Sequence, residues 1–154
     1  MKVITTLVLI KKDSDILLGM KKRGFGEGFW NGFGGKVKEG ESLEESAKRE
    51  LLEEVGIEAL SLERIGLFDF TFEDGKEIEV NYFKVGKWKG EPTESEEMSP
   101  KWFNENEIPF EKMWPDDAHW FPVFLRGVKF VGRAHFSGQN TIKHIEMNEV
   151  KEFD

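Results

Sequence analysis

Three glutamates are spaced for work on a cation. Glu50, Glu53 and Glu54 stand at offsets 0, 3 and 4, so on a helix, at about 100° per residue, they project from one side. Like charges this close repel one another and weaken an isolated helix. A hard divalent cation relieves the repulsion, and carboxylate oxygens are the ligands magnesium takes. Taken as spacing alone, the simpler reading is a solvated acidic face with Arg49 paired to Glu53 one turn on. A second resource is aromatic: the aromatic share is 13%, with 14 Phe, 5 Trp and 1 Tyr. Part of that ring count belongs to a core, and part is available to line a pocket for a flat ligand. His119, His135 and His144 show no metal-ligand spacing and read as structural or surface residues.

The glutamates need a helix, and the sequence supplies its signals. Ser42 can cap a helix over Ser42 to Val55, with Glu45 completing a capping box, and Gly56 stops it. Leu43, Ala47, Leu51 and Val55 form one apolar stripe for packing. Before the helix, Arg23 to Gly35 interleaves six glycines with Phe25, Phe29, Trp30 and Phe33. Such a segment is irregular backbone that lets a ligand or another chain segment approach closely. Val3 to Ile10 and Ile16 to Met20 read as strands around a polar turn. Glu63 to Phe72 and Ile78 to Val85 read as a strand pair joined by a turn at Asp74 and Gly75. Glu91 to Glu97 is an acidic loop, and Lys101 to Phe103 a short strand. Asp116 or Asp117 can cap a second helix running towards Gly127, with Pro122 making its interior irregular. Val128 to Phe136 and Thr141 to Met147 close the chain as strands. This order predicts an α/β fold, a mixed sheet covered by helices.

The whole chain bounds the function. Its 154 residues suit one compact domain, residues 1–154. A net charge of −8 lacks the basic footprint that binds long nucleic acid. A polyanionic small molecule is still admitted, because a bound divalent cation and a local Lys/Arg patch offset the repulsion. The absence of cysteine excludes disulfides and thiolate metal sites. The first residues, MKVITTLVLIKKDSD, are too short an apolar run to span a bilayer and lack a cleavage site, so they read as a strand. A cytoplasmic location and no membrane partner are the expectation.

The run from Gly35 to Ile57 says more than the glutamates alone. Gly35, Glu41, Arg49, Glu50, Leu51, Glu53, Glu54, Gly56 and Ile57 match, position by position, the box of the Nudix hydrolase family, and the chain resembles that family. The resemblance implies an α/β/α sandwich with a mixed β-sheet and a catalytic loop–helix–loop. It implies Mg²⁺ binding by Glu50, Glu53 and Glu54 with the Gly35 carbonyl, Mn²⁺ being a possible substitute. Arg49 would orient the glutamates, and Glu41 would support the loop or the metal shell. The general base is expected at Glu53 or Glu54, with Glu50 mainly a ligand.

Segments outside the box narrow the resemblance. Gly19 to Val37 (GMKKRGFGEGFWNGFGGKV) and Glu94 through Trp114 to Pro122 (WPDDAHWFP) resemble the animal-type MutT branch, the oxidised purine nucleoside triphosphate hydrolases. The likeness runs from about Thr6 to Gln139. By matching position it implies that Asn31, Asp116 and Asp117 read the base edge and that Trp114 is a stacking wall, with Phe25 and Phe70 nearby. Thr6, Met98 and Trp120 would line the pocket. Gly34 and Gly35 would contact substrate, Lys21 a sugar or phosphate, and Glu97 would add a metal-side carboxylate. Two adjacent carboxyls crowded in an apolar pocket differ in protonation, so the Asp pair can offer a donor and an acceptor together.

The implied activity is hydrolysis of oxidised purine triphosphates such as 8-oxo-dGTP and 2-hydroxy-dATP to the monophosphate and pyrophosphate, by a monomer acting on a small nucleotide. The box itself leaves open ADP-ribose, a dinucleoside polyphosphate or O6-methyl-dGTP as substrate, and a non-catalytic Nudix-fold binding module. Simpler roles also exist residue by residue. Asp116 can be a helix cap, Asn31 can satisfy loop amides, Trp114 and Trp120 can be core, and Lys21 can belong to a solvated run.

Overall fold

The first strand, β1 (Lys2–Lys12), is buried from both sides, which dictates the architecture. Leu9 packs into one core, and its neighbours Val8 and Ile10 pack into another. Successive side chains of a strand point to opposite faces, so layers must cover the sheet on both sides.

The computed structural model describes residues 1–138 and 141–153. The expected end of the family likeness at Gln139 and the last residue of the expected domain, Asp154, lie outside them. The strands are β1 (Lys2–Lys12), β2 (Asp15–Lys21), β3 (Trp30–Asn31), β4 (Glu58–Ala59), β5 (Leu62–Phe72), β6 (Glu77–Val85), β7 (Trp88–Lys89), β8 (Met98–Asn104), β9 (Lys129–Phe136) and β10 (Ile142–Val150). The helices are α1 (Leu43–Val55) and α2 (Asp117–Leu125), with a 3-10 turn at Phe110–Lys112. The main sheet runs β10-β9-β5-β6-β1-β2-β3, with β8 also on β2. It is mixed: β1–β6 and β5–β9 are parallel and the other pairs antiparallel.

The apolar stripe of α1 covers one face, with Ala47, Leu51 and Val55 packed against Val8, Ile10 and Phe83. The other face is covered by α2, whose Trp120, Phe121 and Phe124 pack with Leu9, Phe68 and Phe130. The result is the expected α/β/α sandwich. The predicted elements are all present. Strand β8 begins earlier than expected, at Met98, because it pairs with β2 from Lys21↔Met98 to Asp15↔Asn104. The short strands β3, β4 and β7 were not anticipated. Two residues are too few to show a period, so only pairing reveals them.

One irregularity of the sheet builds the site. Strands β1 and β2 pair only near their turn, from Ile10↔Leu17 to Lys12↔Asp15. Beyond that point they part, and the glycine-rich segment enters the gap. Val8 and Phe33 exchange backbone hydrogen bonds at 2.6 and 3.0 Å, and the Thr6 amide donates to the Gly35 carbonyl at 3.0 Å. A Cβ on Gly34 would overlap the Thr6 carbonyl oxygen. Glycine is required there by close approach of two backbones.

Candidate active site

Helix α1 holds its carboxylates where the inserted segment ends. The Ser42 hydroxyl accepts from the Glu45 amide at 3.1 Å, and the Glu45 carboxylate accepts from the Ser42 amide at 2.9 Å. The capping box thus sets the first turn. Arg49 then organises the site. Its Nε donates to Glu41 Oε2 at 2.7 Å and its Nη2 to Glu41 Oε1 at 3.0 Å, a two-pronged pair. Its Nη1 reaches Glu50 at 3.0 Å and Glu53 at 3.2 Å, and Nη2 also reaches the Lys36 carbonyl at 3.2 Å. A planar guanidinium can serve several oxygens at once, which an ammonium cannot do with the same geometry. The Arg49–Glu53 pair of the simpler reading exists, but as one hydrogen bond of five. The guanidinium holds the Glu41 carboxyl down at about 2, helped by the Lys38 amide.

Glu54 differs from its neighbours. It is 2% exposed, and its Oε1 accepts from the Gly34 amide at 2.8 Å. Burial, and then the charge of Glu50, push its carboxyl up to about 8. Glu50 is raised too, first by burial. The charge of Glu97 adds to the strain on both, while Lys21 relieves Glu54. Gly35 lies flush against Glu50, where a Cβ would stand 2.7 Å from Oε1. The site therefore concentrates negative charge on hard oxygen donors with too few cations to balance it, and it fits a divalent cation. Glu50, Glu53 and Glu54 stand as a row along the helix. Among the described residues no three His, Cys, Asp or Glu side chains come together closely enough to hold a metal ion as they stand.

A cavity of about 450 Å³ adjoins this row, a size suited to a small ligand. Thr6, Lys21, Phe25, Asn31, Gly34 and Gly35 line it, as do Phe70, Met98, Trp114, Asp116 and Asp117. Trp114 stacks on Phe25 with centroids 5.1 Å apart at 26°, and Phe29 meets it edge-on at 5.1 Å. Lys76, from the β5–β6 turn, places its ammonium 4.8 Å above the Phe25 ring. Asn31 accepts the Gly32 amide at 2.9 Å through Oδ1, the loop-satisfying contact of the simpler reading. Among the described residues its amide nitrogen makes no hydrogen bond, and it can act as a donor.

Trp120 is placed differently from the expectation. It is 1% exposed and lies behind the wall, in the α2 core. Its Nε1 donates to Asp116 Oδ2 at 3.0 Å, so it steadies a lining residue and is not one itself. The Asp116 carboxylate therefore does not cap α2, and no side-chain hydrogen bond caps that helix. Asp117 Oδ2 is buried with no partner among the described residues. Its carboxyl is raised well above the usual range by burial and by the charge of Asp116. Burial raises Asp116 as well, against the hydrogen bond from Trp120 that stabilises its charged form.

Sequence reasoning overlooked Phe29, Lys76 and Tyr82, which also line the cavity. Ile78, Val80 and Tyr82 alternate along β6 and face the cavity together. That period was visible, but which face carried the cavity was not.

The family model described as the NUDIX domain matches residues 1–124. The chain belongs to the Nudix family. It is 50% identical over 149 residues to the oxidized purine nucleoside triphosphate hydrolase of Mus musculus, covering 96% of each protein. Its identity to the protein of the same name from Danio rerio is 47% over 150 residues, covering 97% of this chain and 96% of that one. A crystal structure of a MutT protein from Bacillus halodurans superposes with a TM-score of 0.85 at 28% identity, over 95% of this chain and 97% of that one. The expected family and fold are both borne out. Nudix hydrolases generally use a divalent metal. Among the described residues no helix is long and apolar enough to cross a membrane.

Proposed function

We propose that this Nudix hydrolase cleaves oxidised purine (deoxy)nucleoside triphosphates, with water, to the monophosphate and pyrophosphate. The observation that carries the reading is a cavity lined by two chemically different sets of residues. Gly34, Gly35 and Lys21 neighbour Glu54, and Trp114, Asn31 and the buried Asp116–Asp117 pair make up the other set. The names of the mouse and zebrafish relatives support the same substrate class.

The roles follow from the chemistry of each group. Glu50, Glu53, Glu54 and the Gly35 carbonyl would hold the cation, with Glu97 alongside. Oxygen donors of this hardness favour magnesium, with manganese as a substitute. When bound, the cation offsets phosphate charge and lowers the pKa of a bound water. Arg49 keeps the carboxylate row in register, and Lys21 meets a sugar or phosphate. Glu53, half-exposed and bound to Arg49 only at 3.2 Å, or Glu54 takes the proton of the attacking water. Trp114 holds the purine by its face, a contact worth ~1–3 kcal/mol by analogy with single-strand binders. A protonated Asp117 beside an ionised Asp116 gives the base edge a donor and an acceptor in one place. Phe25, Phe70, Thr6 and Met98 complete the wall. We place the enzyme in the cytoplasm as a monomer acting on free nucleotides.

A substrate panel tests this. With magnesium present, 8-oxo-dGTP and 2-hydroxy-dATP should be hydrolysed, with loss of the intact nucleotide followed by chromatography, faster than ADP-ribose, a dinucleoside polyphosphate or O6-methyl-dGTP. Glu53→Gln should abolish turnover with an unchanged circular dichroism spectrum. Asn31→Ala should spare the chemistry and compress the ranking of bases. An unaltered ranking in Asn31→Ala would remove Asn31 from the base-reading set. Tight binding with no turnover of any nucleotide would favour a binding module instead.

A further inference from the structure

The cavity wall carries a polar group that the base-reading set above does not use. Tyr82 is the chain's single tyrosine and faces the cavity from β6. Only 2% of it is exposed. Its ring is wedged by Trp120, Phe130 and Phe68, with centroids 4.7, 5.2 and 6.4 Å away. A ring packed on so many sides cannot swing, so the direction of its hydroxyl is set by the core. Among the described residues that hydroxyl makes no hydrogen bond. Nor does it belong with the sealed, unpartnered atoms such as Asp117 Oδ2, so its oxygen opens on the cavity. Buried tyrosine hydroxyls ordinarily find a partner.

We propose that Tyr82 Oη donates a hydrogen bond to a carbonyl oxygen on the edge of the bound purine, beside the Asp116–Asp117 pair, and is a specificity-determining residue of this cavity. Burial, and then the charge of Asp116, keeps the phenol protonated well above its usual range, so it stays a donor. Its neighbours divide the work. Trp120 grips both Asp116 and the Tyr82 ring, so the carboxyl pair and the phenol are held by one indole at a fixed separation. A base offering a carbonyl there gains a hydrogen bond, and a base presenting an amino group leaves the phenol unpaired. The inference rests on the reading that the cavity takes a purine.

The test is Tyr82→Phe, which keeps the ring and removes only the hydroxyl. Calorimetric binding of 8-oxo-dGMP should weaken by about three- to tenfold, the loss of one neutral hydrogen bond. Binding of dAMP, which lacks the carbonyl, should change by less than about twofold on the same arithmetic. With the triphosphate, KM should rise and kcat should hold. The melting temperature without ligand should hold or rise, because the hydroxyl supports nothing in the free protein. Equal weakening for both bases together with a lower melting temperature would mark a packing role and overturn the proposal. Unchanged 8-oxo-dGMP binding in Tyr82→Phe would overturn it while leaving the purine reading intact. A wild-type protein that binds neither monophosphate would bring both readings down.

Discussion

Asp117 shows how one buried group ties stability to pH. Its carboxyl is 3% exposed with an unpartnered oxygen and titrates well above its ordinary value. The unfolded chain gives up this proton near pH ~4, whereas the folded chain keeps it. Between those two values folding takes up a proton, so stability falls as pH rises, by up to about 1.4 kcal/mol per unit. Asp117→Asn keeps the shape and removes the titration. Its melting temperature relative to the wild type should therefore climb steadily from pH 4 to pH 8. A difference that stays flat over that range would show that Asp117 is ionised in the fold. The same substitution should weaken selection among oxidised bases, since an amide cannot exchange a proton with Asp116.

At the scale of the element, α1 and the inserted glycine segment make separable contributions. The capping box secures the first turn of α1, two turns from the carboxylates. Ser42→Ala should cost about 1 kcal/mol and lower the melting temperature by roughly 2–4 °C, with turnover nearly unchanged. Gly34→Ala should act differently. Its Cβ would overlap the Thr6 carbonyl, so the segment must move away from β1, and the amide that holds Glu54 moves with it. Loss of both stability and turnover is expected, measured by urea melts and pyrophosphate release. A fully active Gly34→Ala would mean that the gap between β1 and β2 is not what places Glu54.

Across the whole molecule, the sheet separates two cores. The α1 side contains Leu51 and Phe83, and the α2 side contains Phe121 and Phe130. Substitutions on opposite faces share no partners, so their costs should add. Leu51→Val and Phe121→Leu should each cost about 1 kcal/mol, and the double variant should match the sum within about 0.5 kcal/mol. Denaturant melts of the four proteins check this, and a larger coupling would mean that β1 transmits strain between the faces. The two cores also divide the functions. On the proposed reading, the helix that carries the glutamates packs on one, Tyr82 belongs to the other, and the cavity is lined by residues from both sides.

How much of this the sequence determined by itself follows from the range of the interactions. Helix α1, its cap and its stop were legible because capping box, stripe and glycine all act within a few residues. The carboxylate row was legible for the same reason, since helical geometry alone puts Glu50, Glu53 and Glu54 on one side. Asn31, Trp114 and the Asp pair were found through the family resemblance, as no local pattern marks them. The tertiary structure decided what depends on distant partners. It opened β1 from β2 and placed Gly34 beneath Glu54. It turned Asp116 from a helix cap to the Trp120 indole, and it moved Trp120 out of the cavity wall. It also brought Tyr82, an ordinary strand residue by period, to the floor of the cavity. Burial and charge proximity set the protonation of Glu54 and Asp117, and both arise only when segments far apart in the chain close around them.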